Sequence, residues 1–220
     1  MCGRYSLACT DDLGTRFRVY EPTLGCRSRF NVAPSQTMPV VVEHDHVALV
    51  LMEWGLIPHW AKDLKSSKHP INARAETLAE RPMFRGLLEH NRCLIPASGF
   101  YEWKQGGPRK EPYYIHLKGS PLFGFAGLYD VWHDADGEAH PTYIIITTEA
   151  NELVAPIHTR MPVILRPEDE IRWLSPEPLA PDDREAILGQ YPAGAMDAYP
   201  VSTRVNSPAV DDEQLIAALS

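Results

Sequence analysis

R-C-L-I-P-A-S-G-F-Y-E-W-K (92–104) is the stretch that decides the fold class. Its two halves, 92–97 and 99–104, are rich in branched and aromatic residues and read as strands separated by Ser98 alone. Y-Y-I-H-L-K (113–118), L-F-G-F-A-G-L-Y-D-V-W (122–132) and T-Y-I-I-I-T-T (142–148) continue the series, with Q-G-G-P-R-K (105–110) as a loop. M-P-V-V-V-E (38–43) and H-V-A-L-V-L-M-E-W (46–54) form a hairpin around H-D-H (44–46), which reads as a solvated turn rather than a metal site. Helices are expected over 10–19, capped by Thr10 or Asp11, over Ala75 to Asn91 with a break or restart at Pro82, and over 150–157, 167–174 and 182–190. A last strand follows near 197–203. Twenty prolines and fourteen glycines are scattered throughout, and no repeat or linker interrupts the chain. The expectation is a single α+β domain over 1–220, a largely antiparallel sheet or barrel-like core with peripheral helices.

The 220 residues suffice for a substantial core. The net charge of −8 argues at first sight against a nucleic-acid partner, but it is unevenly spread. Residues 1–110 carry a balance of +4 and residues 111–220 a balance of −12, so a basic surface in the first half is allowed. No apolar run approaches the roughly 18 residues that span a bilayer, and the first residues lack a secretory pattern. A cytoplasmic protein without membrane contact is expected. Four cysteines without C-x-x-C spacing speak against a metal site, and Cys9, Cys26 and Cys93 read as buried thiols.

Four segments hold candidate chemistry. In N-A-R-A-E (72–76), Asn72 is either a helix N-cap or, with Arg74, part of a rim for polar or phosphate groups. In S-G-F-Y-E-W-K (98–104), alternation sends Phe100, Glu102 and Lys104 to one face and Tyr101 and Trp103 to the other. Glu102 then forms an ion pair with a neighbouring strand, or it is a buried carboxyl with a raised pKa. P-I-H-T-R-M-P (156–162) fixes His158 on a proline-bounded turn beside Arg160, as a structural histidine or a displayed one. W-G-L-I-P-H-W (54–60) places Trp54 and Trp60 around a turn, as core or, if exposed, as platforms for bases.

The chain opens M-C-G-R-Y-S-L (1–7). Retained, Met1 leaves Cys2 an ordinary thiol. Removed, it leaves Cys2 with an α-amine of pKa near ~8 beside a thiol near ~8.5, both partly nucleophilic at neutral pH, and nearby positive charge would lower the thiol further.

M-C-G-R-Y, N-V-A-P (31–34), W-G-L-I-P-H-W, I-N-A-R-A-E (71–76), G-F-Y-E-W (99–103), I-H-T-R-M-P (157–162) and V-S-T-R-V-N (201–206) together resemble the SOS-response-associated peptidase (SRAP) family. The resemblance covers roughly residues 2–206, leaving an acidic tail at 207–220. It implies an α+β barrel-like fold and a sensor of abasic sites in single-stranded DNA that bonds to them through Cys2. Asn72, Glu102 and His158 would be its active-site partners, and Arg4, Asn31, Pro34, Trp60, Arg74 and Arg160 would line a DNA groove. Trp54 joins that set as a stacking candidate. The resemblance further implies self-catalysed removal of Met1. A Schiff base acidifies the neighbouring carbon, so strand cleavage by β-elimination is an expected side reaction. No cofactor is expected, and the protein is expected to be a monomer that joins the nucleoid when bound to DNA.

Two other functions compete. An N-terminal-cysteine amidohydrolase or peptidase would need an oxyanion hole, and no motif specifies one. A non-catalytic single-strand-binding module would bind with salt sensitivity and without regard to Cys2.

Overall fold

In the computed structural model of the chain, residues 2–8, 11–19, 27–63, 69–106 and 110–219 are described. The strands among them are β1 (Tyr5–Leu7), β2 (Arg29–Val32), β3 (Thr37–Glu43), β4 (Val47–Trp54), β5 (Asn72–Arg74), β6 (Arg92–Ala97), β7 (Gly99–Lys104), β8 (Glu111–Leu117), β9 (Phe123–His133), β10 (Ala139–Glu149), β11 (Arg160–Pro162) and β12 (Met196–Pro200). One sheet runs β12-β8-β7-β1-β2, every pairing antiparallel. The other runs β10-β4-β3-β6-β9, and β9 pairs again with β10, so these five strands close on themselves. β5 and β11 extend this barrel at β10. Among the described residues, only β4 and β5 pair in parallel, both with β10. The expected α+β barrel-like core is borne out.

The chain changes sheets inside the segment 92–104. β6 belongs to the barrel, β7 to the other sheet, and Ser98–Gly99 is the crossing. The Ser98 amide donates to Ser6 O at 2.7 Å, and Ser98 Oγ accepts from Ala8 N at 2.9 Å, which stitches the crossing to β1. Gly99 is required here: a Cβ would lie 2.3 Å from the Tyr114 ring. Between the sheets, Tyr5, Trp54, Phe100, Phe125 and Tyr143 fill the core, with the Tyr5 and Tyr143 hydroxyls 2.8 Å apart.

Helices α1 (Leu13–Arg16), α2 (Pro82–His90), α3 (Pro167–Leu174) and α4 (Pro181–Ile187) are short. In the last three, proline takes the first turn, where its missing N–H costs nothing. Of the helix expected over Ala75 to Asn91, the restart at Pro82 holds as the start of α2, while the part before it is only a 3-10 turn (Ala75–Thr77). Asn72 is not a cap, since it opens β5 against Ile145. Residues 150–157 form successive turns rather than a helix, because Asn151 Oδ1 accepts from Leu153 and Val154 N–H and Pro156 has no N–H to continue a ladder. Of the expected caps, Thr10 lies outside the described residues, as do Cys9 and Cys26; α1 begins after Asp12.

Residues 207–219 are not a loose acidic tail. Asp211 accepts from the Phe30 and Asn31 amides and pairs with Arg29, Arg204 pairs with Asp212 at 2.6 Å, and Leu215 is fully buried. Part of the second half's negative charge is thus neutralised against basic residues elsewhere in the fold.

Arg92 locks the barrel to α2 and α3. Its buried guanidinium donates to the carbonyls of Leu88, Glu89, Trp173, Ser175 and Glu177. Arg92→Ala strands these carbonyls, several of them buried, and is expected to cost about 3 kcal/mol or more, read as a lower urea midpoint.

Candidate active site

Three elements converge on Cys2. The residue precedes β1 and is fully buried. β1 pairs with β7 through Tyr5 and Phe100, and the Tyr101 amide donates to Arg4 O at 3.0 Å, which brings Glu102 alongside. On the other side, Asn72 at the start of β5 donates from Nδ2 to Cys2 O at 2.8 Å. Asn72 Oδ1 is buried and has no hydrogen-bond partner among the described residues.

Glu102 is 3 % exposed. Burial pushes its carboxyl up to about 7, with the amino-terminal positive charge pulling the other way. Of the two readings of Glu102, its burial points to the raised carboxyl. Burial, and then the neighbouring Glu102 carboxylate, push the Cys2 thiol well above its ordinary value. Positive charge acts in the expected direction. The amino terminus does lower it, but desolvation and the carboxylate outweigh that.

His158 lies between β10 and β11. The Arg160 amide donates to its Nδ1 at 3.0 Å, so Nδ1 accepts and the proton of the neutral ring resides on Nε2. Burial and then the amino-terminal charge push its pKa below the ordinary value. Glu102 and His158 open together on a cleft of about 430 Å³, completed by Trp103, Gln105, Lys110 and Asn206. Trp103 is held there by Nε1 donating to Asn206 Oδ1 at 2.8 Å. The four expected catalytic positions are therefore brought together.

The expected DNA-contacting residues divide. Trp60 is 61 % exposed on a turn secured by Asp130, whose Oδ2 accepts from His59 N at 2.8 Å and lies 2.9 Å from His59 Nδ1. Arg74 is exposed at the end of β5, beside a second cavity of about 390 Å³ that Asn72, Arg81, Met83 and Thr147 also line. Pro34 is half-buried in the turn after β2. Trp54 is no platform: it is fully buried, parallel to Tyr143 at 6.3 Å, and donates from Nε1 to Ile71 O. Asn31 is fully buried and anchors the C-terminal segment, donating to the carbonyls of Val205, Ser207 and Val210. Arg4 Nη1 is committed to Asn31 Oδ1 and Val205 O, both at 2.8 Å, so this nitrogen braces that segment instead of meeting a phosphate. Arg160 is held by Glu76.

Sequence reading passed over Glu76, Trp103, Lys110 and Asn206 as participants. Glu76, Trp103 and Asn206 lie inside recognised segments, whereas Lys110 closes a loop with no motif to mark it. Among the described residues, Asp134, Glu138 and His140 bring potential metal-ligand atoms within 4.8 Å of one another. They belong to the β9–β10 turn rather than to the cleft, and Asp134 serves His140 and the turn backbone there.

A sequence model of the family described as SOS response associated peptidase (SRAP) matches residues 1–208. The chain is 46% identical over 221 residues to the abasic site processing protein YoqW of Bacillus subtilis (strain 168), covering 98% of this chain and 99% of that one. It is 34% identical over 226 residues to the abasic site processing protein HMCES of Gallus gallus, covering 88% of this chain and 67% of the other. A solved structure from Bacteroides thetaiotaomicron superposes with a TM-score of 0.90 at 31% identity, covering both chains in full.

Proposed function

The chain belongs to the SOS response associated peptidase family, and on that premise we propose that it processes abasic sites in DNA by bonding covalently to them through Cys2. The substrate is single-stranded DNA, whose abasic deoxyribose opens to an aldehyde. Removal of Met1, by hydrolysis at this same site, exposes the Cys2 α-amine. The amine adds to the aldehyde carbon, water leaves, and the resulting imine accepts the Cys2 sulfur at the same carbon while the thiol proton passes to the ring nitrogen. A thiazolidine results, with one water released overall. Both nucleophiles reside on one residue, so ring closure is intramolecular.

The observation that carries this reading is the convergence of Asn72 and Glu102 on Cys2, with Glu102 and His158 sharing one cleft. Asn72 fixes the Cys2 carbonyl and keeps Oδ1 as an acceptor for the amine. Glu102, pushed up to about 7, relays the protons that amine attack and ring closure release. His158, neutral with its proton on Nε2, donates to the sugar oxygen. Cleavage of the strand by β-elimination from the imine is a slow side reaction. The protein acts as a monomer at the nucleoid. Among the described residues, no helix is long and apolar enough to cross a membrane.

Intact mass first establishes loss of Met1. The protein is then mixed with a single-stranded oligonucleotide carrying one abasic site and run under denaturing conditions. A heat-stable shifted band is expected, absent with the intact strand and absent when borohydride has first reduced the aldehyde. A processed protein that gives no band overturns the covalent mechanism.

Trp60 supplies a stacking surface for a base beside the lesion. Trp60→Ala is expected to weaken binding about tenfold, within the range for one stacked base, measured by fluorescence anisotropy on a single strand.

A further inference from the structure

Glu76, in the 3-10 turn after β5, closes on Arg160 at the start of β11. Its Oε1 accepts from Arg160 Nη1 at 2.6 Å and its Oε2 from Nη2 at 3.0 Å. Nη2 also donates to Thr147 O at 2.6 Å. The two side chains differ in exposure: Arg160 is 14 % exposed and Glu76 43 %. The arginine is the inner partner and the carboxylate its outer cover. The hydrogen bond from Arg160 comes first, and the charge of Arg74 also contributes, among the causes that hold the Glu76 carboxyl below its ordinary range. One carboxylate thus faces two of the arginines placed at the DNA groove.

A carboxylate and a phosphate offer a guanidinium the same pair of oxygens. A strand phosphate that is to reach Arg160 must therefore take the position Glu76 holds. We infer that Glu76 stands in for a DNA phosphate at Arg160 in the free protein and so holds down the non-covalent affinity for any single strand. The inference rests on the DNA-processing reading above. Every strand meets the same competition at Arg160, so non-covalent affinity is held down for all of them. An intact strand then dissociates, whereas a strand carrying the aldehyde is retained by the bond to Cys2.

The experiment is equilibrium binding of an unmodified oligothymidine to wild-type protein and to Glu76→Gln over a series of salt concentrations. Loss of the competing charge is expected to tighten binding about three- to tenfold at low salt. It should also steepen the log–log salt dependence by about 0.7, the increment for one more phosphate contact on a single strand. The gain should vanish when Arg160→Gln is added, because the competition acts through that guanidinium. Unchanged or weaker binding by Glu76→Gln at the wild-type slope would overturn the inference and leave Glu76 a brace for Arg160. If the variant does not fold, the wild-type Glu76 carboxylate carbon is followed by NMR during titration with the same strand. A move toward the shift of a solvated carboxylate supports displacement, and no move at saturation overturns it. The two readings fail separately: crosslinking of abasic DNA without the Glu76→Gln gain removes only this inference, and the gain without crosslinking removes only the covalent mechanism.

Discussion

Cys2→Ala, with Met1 removed, is expected to lower the yield of heat-stable product on an abasic strand at least ~10³-fold, since alanine cannot close the ring that intramolecular attack makes fast. The variant keeps its α-amine. It should still condense with the aldehyde, but the imine hydrolyses on heating. Borohydride added during the reaction will reduce that imine and recover a shifted band from Cys2→Ala. This second arm separates loss of the thiol from loss of binding or folding. The burial of Cys2 matters here. Its thiol is pushed up by desolvation and by Glu102. On the proposed mechanism, attack by sulfur would wait on imine formation and on a group that takes the proton. A heat-stable, Cys2-independent product would place the bond on another residue and end the thiazolidine mechanism.

What the sequence made legible was governed by local pattern. Strands β6 to β10 stand out because their branched and aromatic runs are long, and α3 and α4 because proline and acidic residues mark their first turns. Asn72, left open between a helix cap and a site residue, shows the limit. Asparagine before a helical pattern favours a cap locally, but pairing with β10 across the barrel outweighs the turn. Trp54 and Trp60 have the same composition around them and opposite fates, because the strand end buries one and the Asp130-anchored turn displays the other. The same holds for charge. Arg4, Asn31 and Asp211 form a brace between β1, β2 and the C-terminal segment, at separations of 27 to 201 residues, which no local window reveals. The site residues themselves were reached through family resemblance. Their physics was not: burial raises the Glu102 carboxyl, and burial together with the charge of that carboxylate raises the thiol beside it.

Glu102→Gln is expected to slow crosslinking about 10²- to 10⁴-fold, the usual worth of a positioned acid or base. The wild-type rate should rise with pH through an inflection near 7, where the buried carboxyl becomes a charged base able to accept a proton. A further rise near ~8 belongs to the α-amine. The variant should keep the second and lose the first. Stability should move the other way. The folded carboxyl has a pKa raised from 4.5 to about 7, so between those values the native state holds a proton that the unfolded chain has released. Stability from this group is therefore greatest below about 4.5 and is lost as pH rises toward 7. Glutamine removes the penalty of a buried charge, so at pH 8 the variant's urea midpoint should exceed that of the wild type, while at pH 4 the two converge. A variant slower in reaction and more stable at alkaline pH would mark Glu102 as a group held against the preference of the fold for the sake of proton transfer. A variant of unchanged rate would remove Glu102 from the mechanism. One that is less stable at pH 8 would show that the charged carboxylate is a structural partner, and proton transfer would then fall to His158.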